Sequence, residues 1–219
     1  MSVVVCFSGG VDSTVLAELA HSRGELRGVV TFNYGQAAWS QEREAVTRWV
    51  DDHPGISAHR VSFGLHGADD AMNTGAGVAG PRVVPGRNLV FLAHAVAIAS
   101  SLGANEVWYG ATQDDRDAYP DCRVDFAHAL SSAAVRGYGV RVKAPFCDMT
   151  KAAVVALGRD FKIDFEHTWS CYEPHDGKPC GQCNACVERR EVLMPAGANC
   201  TQCGRPIPIG EPCPCWTAP

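Results

Sequence analysis

Six residues near the start of the chain, Ser8-Gly9-Gly10-Val11-Asp12-Ser13, have the types and spacing to bind a phosphate. Two glycines let the backbone turn sharply and approach a ligand with no Cβ in the way. The amides of such a turn and of a following helix N-terminus form a nest for an anion. No Gly-Lys-Ser/Thr follows at the spacing of a Walker A loop, so the turn is of another kind. The residues on either side are the ones it needs. Val3-Val4-Val5-Cys6-Phe7 reads as a strand, and the Ala/Leu-rich stretch 14–22 reads as a helix.

The same alternation continues. Apolar strand-like runs recur at 3–7, 26–33, 106–110 and 141–144, with helical spacing at 41–52, 88–102 and 125–135 between them. Strands alternating with helices imply parallel pairing, a doubly wound α/β fold, and a ligand at the carboxyl ends of the strands. Residues 64–85 are glycine-rich with few periodic apolar positions and read as a long loop; a lid or substrate loop and a disordered segment are equally open readings. No internal repeat or low-complexity tract occurs.

Bulk composition fits a soluble enzyme. The chain has 219 residues, 46% of them hydrophobic, enough to bury a full core. It lacks an apolar run of membrane-spanning length and a basic, then apolar, leader, so a cytoplasmic location and no membrane partner are expected. A net charge of −5 argues against a broad nucleic-acid-binding face. Eleven cysteines in such a chain point to metal rather than to a disulfide framework.

The cysteines concentrate where the composition changes, after residue 168. Cys171, Cys180, Cys183 and Cys186 have the spacing C-x8-C-x2-C-x2-C, which can close a tetrahedron of thiolates around one Zn2+. Gly181 supplies backbone freedom at the knuckle. Four sulfur ligands leave no open position, so this zinc is expected to be structural. Cys200, Cys203, Cys213 and Cys215 form a second set; a second zinc ribbon and a partly ordered free-thiol tail both remain open. The expected organisation is therefore an α/β domain over 1–168 that carries the anion-binding turn, a zinc segment over 169–193 with a helix at 184–193, and a tail over 194–219 that would hold the second ribbon if one forms. The eight histidines show no ligand spacing, and Cys6, Cys122 and Cys147 stand outside both clusters.

Ser-Gly-Gly-x-Asp-Ser resembles the pyrophosphate loop of the PP-loop ATPases, whose fold is the adenine nucleotide α-hydrolase-like doubly wound sheet. Further segments extend the likeness: Tyr34-Gly35-Gln36, Val84-Pro85-Gly86-Arg87-Asn88, Tyr119-Pro120-Asp121-Cys122-Arg123, Thr150-Lys151 and Cys180-Gly181-x-Cys183-x-x-Cys186. Together and in this order, over residues 3 to about 193, the chain resembles the 7-cyano-7-deazaguanine synthase (QueC) family. The resemblance implies an ATP-dependent carbon–nitrogen ligase of queuosine and deazapurine biosynthesis. It would adenylate the carboxylate of 7-carboxy-7-deazaguanine, aminate it with ammonia to the amide, and use a second ATP to reach the nitrile. ATP, Mg2+ and Zn2+ are the implied cofactors, and a homodimer is the expected assembly.

On that resemblance Ser8, Gly9, Gly10, Val11, Asp12 and Ser13 hold the ATP phosphates. Asp12 has a role in placing Mg2+, or else caps the next helix. Arg87 is an anion clamp or substrate contact, with a surface arginine after a Pro-Gly turn as the other reading. Lys151 neutralises phosphate charge, or is a solvated lysine in a first helical turn. Gln36, Arg87, Asn88, Gln113, Asp121 and Arg123 are the expected substrate-binding residues, Asp121 as an acceptor for the guanine-like N–H donors. Gln113, with Asp114 and Asp115, falls just after a strand, at its carboxyl end.

Two departures are visible. The family continues Tyr-Gly-Gln with Arg-His and soon afterwards Glu; here Ala37 and Ala38 follow, and Glu42 is only approximately in register. The second cysteine set is also unusual for the family. Both leave room for a diverged QueC-like defence or modification enzyme that stops at the amide, or that passes the activated acyl group to another amine such as a protein N-terminus. A degenerate nucleotide- or partner-binding domain is a third reading, opposed by the intact loop. A tRNA-thiolating PP-loop enzyme would need a basic surface, which an acidic chain lacks.

Overall fold

The computed structural model describes residues 1–65 and 83–193. The greater part of the 64–85 loop and the whole second cysteine set, Cys200, Cys203, Cys213 and Cys215, lie outside these residues.

Five strands, β1 (Val3–Cys6), β2 (Leu26–Asn33), β3 (Ser57–Ser62), β4 (Glu106–Trp108) and β5 (Arg141–Lys143), form one sheet in the order β3-β2-β1-β4-β5. Every pairing is parallel, with Val5 opposite Val29 on one side and Trp108 on the other. Six helices of more than one turn accompany them among the described residues: α1 (Val11–Ser22), α2 (Trp39–Asp51), α3 (Arg87–Ser101), α4 (Val124–Tyr138), α5 (Lys151–Asp160) and α6 (Asn184–Leu193).

β1 shows why both faces of the sheet must be covered. Its side chains alternate between two cores. Val3, Val5 and Phe7 pack with Leu16 and Ala20 of α1, Val46 and Trp49 of α2, and Val154 of α5. Val4 packs with Leu92, Ala95 and Ala99 of α3 and with Ala127 and Ala134 of α4. Helices on both faces make the fold doubly wound, as the alternating sequence pattern implies. The chain winds outward from β1 in both directions, so the carboxyl ends of β1 and β4 part and leave a crevice.

The regular strands at 3–7 and 106–110 stop sooner than their apolar runs, at Cys6 and Trp108. Beyond those points single bonds carry the pairing on, Phe7 N to Val30 O at 2.8 Å and Tyr109 N to Lys143 O at 3.1 Å. β3 is absent from the sequence reading. It is an edge strand, Ser-Ala-His-Arg-Val-Ser, largely exposed on alternate positions and without an apolar run to announce it.

Candidate active site

The crevice is a cavity of about 300 Å3. Its floor is the turn from β1 into α1. Gly9 has φ +75°, and a Cβ there would come within 2.8 Å of Ala45 Cβ, so α2 presses on the turn and only glycine fits. Gly10 caps α1 in an extended conformation, leaving the first amides of the helix to face the crevice. Ser8 and Ser13 close the turn: Ser8 N donates to Ser13 Oγ at 3.3 Å, their hydroxyls are 3.2 Å apart, and Ser13 Oγ donates to Gly10 O at 3.1 Å. Gly110, past β4, passes 3.4 Å from Ser13 N when a Cβ is placed on it, so the second strand end also abuts the helix N-terminus.

One wall is charged. Asp12 points into the cavity, and burial pushes its carboxyl up to about 7; Lys151 opposes that rise, whereas Asp115, Glu188 and Asp114 add to it. Lys151 opens α5, which Thr150 caps by accepting from Ala153 N at 3.2 Å. Its Nζ lies 3.0 Å from Asp115 Oδ1 and 2.6 Å from Glu188 Oε2, and these carboxylates hold the ammonium well above the usual lysine range despite burial. Asp114 Oδ2 accepts from Lys151 N at 2.6 Å. Asp115 is fixed in turn by Thr112, whose amide and hydroxyl both donate to it at 2.9 and 2.7 Å.

The opposite wall is aromatic and holds Arg87. Phe32 and Phe91 stack with centroids 4.2 Å apart, and Tyr34 packs on Phe91 at 5.3 Å. Arg87, the first residue of α3, donates to Tyr34 Oη at 3.4 Å. Gln36 lines the cavity, but its amide is spent on the protein: it donates to Phe32 O and to Glu42 Oε2 at 2.9 and 2.7 Å and accepts from Tyr34 N at 2.9 Å. Glu42 is a buried carboxyl in the same lining, and burial raises its pKa against the opposing pull of Gln36 and Arg87.

The expected residues do not all converge. Ser8, Gly10, Val11, Asp12, Ser13, Gln36, Arg87, Asn88 and Lys151 line the cavity, with Gly9 shaping its floor. Asp121 stands behind Asn88, accepting from its amide at 3.2 Å and so capping α3. Gln113 and Arg123 are exposed and outside the lining; Arg123 Nε donates to Arg116 O at 3.1 Å. Ala37 is exposed and Ala38 fully buried at the entry to α2, and neither lines the cavity. Glu42, named above only for its approximate register, lines it as well, and so do Tyr172, Glu188 and Arg189, which the sequence reading left out. No spacing rule marks Glu188 or Arg189: both sit on α6 and meet the cavity only through the fold of the cysteine segment.

The cysteine cluster adjoins the crevice. The Sγ atoms of Cys171, Cys180, Cys183 and Cys186 all lie within 4.8 Å of one another. A tetrahedron of thiolates about 2.3 Å from a Zn2+ has edges of about 3.8 Å, so the set fits one such ion after a small contraction. Cys180 N and Cys183 N donate to Cys171 Sγ and Cys180 Sγ at 3.2 and 3.4 Å, as thiolate ligands require. Gly181 takes φ +74° at the knuckle. Trp169 N donates to Gly9 O at 2.8 Å, and Arg189 donates to Thr168 Oγ1, Ser170 Oγ and Phe165 O. The cluster is thereby sewn to the glycine turn between β1 and α1.

Comparison with known proteins agrees with this geometry. The family model described as queuosine biosynthesis protein QueC matches residues 2–197. The 7-cyano-7-deazaguanine synthase of Chlorobaculum parvum is 35% identical, covering 90% of this chain and 93% of its own. That of Marinobacter nauticus is 36% identical, covering 90% and 95%. Among solved structures, the U34-tRNA thiolase NcsA from Methanococcus maripaludis, described with its [4Fe-4S] cluster, superposes with a TM-score of 0.55 at 16% identity over 81% of this chain and 61% of that one. NMN synthetase from Francisella tularensis gives 0.51 at 18% identity over 84% and 70%. These two likenesses carry the fold alone, a parallel sheet with helices on both faces.

Proposed function

The chain belongs to the queuosine biosynthesis protein QueC family, and from that premise we propose that it is an ATP-dependent ligase converting 7-carboxy-7-deazaguanine, with ammonia, to the amide and then the nitrile 7-cyano-7-deazaguanine. The observation that carries this reading is the glycine turn opening onto the same cavity as Asp12, Arg87 and Lys151.

A carboxylate is a poor electrophile at neutral pH. Its oxygen attacks the α-phosphorus of ATP, the bond to the β-phosphate breaks, and pyrophosphate leaves. Ammonia then displaces AMP to give the amide. In the second round the amide oxygen is activated in the same way, and loss of AMP and protons leaves the nitrile. The protein's part is to align these groups, balance their charge and keep water from the adenylate.

The amides and hydroxyls of residues 8–13 bind the triphosphate, and Lys151 neutralises charge on the departing pyrophosphate. Asp12 and Asp115 would hold Mg2+, which supplies charge neutralisation on the phosphates. Arg87 clamps an anion from the opposite wall. Gln36 and Asn88 shape the substrate's seat, while Asp121 acts through the α3 N-terminus. Gln113 and Arg123 are exposed and outside the lining, so no contact with the bound substrate is assigned to them. Glu42, beside Arg87, supplies the acceptor for the base's N–H donors. Cys171, Cys180, Cys183 and Cys186 would hold a structural Zn2+.

Mass spectrometry of the products after incubation with 7-carboxy-7-deazaguanine, Mg-ATP and ammonium is the test. Nitrile with AMP is the expected result; amide alone would confine the enzyme to the first amination, and no AMP would refute the reading.

A further inference from the structure

Glu188 belongs to α6, the helix of the cysteine segment, yet its carboxylate reaches into the phosphate end of the crevice. One oxygen, Oε2, is 2.6 Å from Lys151 Nζ. The other, Oε1, accepts from Asn184 Nδ2 at 2.6 Å, one helical turn back. Asn184 is the residue between Cys183 and the pair Ala185-Cys186, so the carboxylate is anchored to the backbone that the four thiolates shape. A second link holds α5 to the same helix, Arg159 Nη2 donating to Leu193 O at 3.1 Å.

A lysine has four rotatable side-chain bonds and no preferred direction of its own. Lys151 is given one here by two carboxylates on different elements: Asp115 from the loop after β4 and Glu188 from α6. Only 17% of the Lys151 side chain remains exposed. Removing Asp115 or Glu188 leaves the ammonium with one tether and a wider arc.

We propose that Glu188 is a positioning residue: through its contact with Lys151 it aims the ammonium at the phosphate turn, making the cysteine segment part of the nucleotide site. The inference rests on the role given to Lys151 above. It needs no titration of Glu188, only its charge and its place on α6.

The test is a double-mutant cycle on the metal-loaded full chain: wild type, Glu188→Ala, Lys151→Ala and the double variant. It is read as turnover and as Mg-ATP affinity by calorimetry. Glu188→Ala lowers turnover by about ten- to a hundredfold, the scale of a misplaced catalytic group. It also weakens Mg-ATP binding, and neither quantity falls further when it is added to Lys151→Ala. Glu188→Gln, which keeps length and an acceptor oxygen, falls between wild type and Glu188→Ala. Equal losses in both backgrounds, or an unchanged Glu188→Ala, would overturn the proposal. Metal content and thermal midpoint are followed in each variant. Should Glu188→Ala lose its metal, the cycle is run with Glu188→Gln, and additivity there would overturn the proposal equally. If the wild type fails to turn over the deazaguanine but coupling appears in Mg-ATP affinity, the substrate reading fails while the positioning role stands.

Discussion

The amide of Trp169 donates to the carbonyl of Gly9 at 2.8 Å, joining the segment that enters the cysteine cluster to the glycine turn between β1 and α1. Trp169 in turn donates through Nε1 to Cys171 O at 2.8 Å. Cys171, Trp169 and Gly9 form one continuous series of contacts.

Removal of the metal should therefore be felt at the nucleotide site. Treatment with a strong chelator, or Cys183→Ser, is expected to lower the thermal midpoint and to weaken ATP binding together, since structural zinc sites contribute directly to folding. Calorimetric ATP affinity before and after chelation, with restoration by Zn2+, checks this. Unchanged affinity in the metal-free protein would separate the two sites.

Gly9→Ala places a Cβ 2.8 Å from Ala45 Cβ on a residue at φ +75°. The overlap is with the rigid Ala45 methyl and, at 3.1 and 3.2 Å, with Glu42 O and Val46 N, none of them the end of a flexible side chain. The expected loss is about 1–3 kcal/mol of stability and a larger fall in ATP binding. Denaturant unfolding and ATP titration of the same sample distinguish the two effects.

Asp12 gives a pH-dependent signature. Its carboxyl, at about 7 in the folded protein, lies above the ordinary value of 3.8 that it regains on unfolding. Between these values the folded state holds a proton that the unfolded state has released, so stability falls as pH rises through the window. The penalty is complete above about pH 7 and absent below about pH 4. Asp12→Asn removes it, with a ceiling of roughly 4 kcal/mol. The variant should be more heat-stable than wild type at pH 8, indistinguishable at pH 4, and inactive throughout. Thermal scans of nucleotide-free protein across that range are the check; equal midpoints at pH 8 would contradict it.

Gln36→Ala severs three hydrogen bonds and leaves the buried Glu42 carboxyl without its amide donor. A stability loss of roughly 2–4 kcal/mol is expected, because unsatisfied buried groups cost more than the bonds themselves return. Gln36→Glu should be worse, since it sets a second acid against Glu42. Urea denaturation of the three proteins tests the order.

Much of the fold is legible in the chain because β1, β2 and the helices bury continuous or periodic apolar runs. Val3 to Phe7 announces a strand covered on both faces. β3 is illegible for the opposite reason: Ser57 to Ser62 is an exposed edge held by backbone pairing with β2, which leaves little trace in side-chain type. At the site, Ser8 to Ser13 and Lys151 could be read locally, since each begins a helix with a recognisable first turn. Glu188 and Arg189 could not. Their roles depend on how the cysteine segment folds back across some 180 residues of chain, which spacing alone does not encode. Gln36 shows a different limit: its type fits a ligand, but its amide groups are already engaged by Phe32, Tyr34 and Glu42.

The Trp169–Gly9 bond also orders events in time. Chain synthesis proceeds at roughly 5–20 residues per second, so the roughly 160 residues between Gly9 and Trp169 separate their emergence by about 8–30 s. Throughout that interval the growing chain carries a glycine turn without the cysteine segment that buttresses it. The crevice is lined in full only once α6, with Glu188 and Arg189, has left the ribosome.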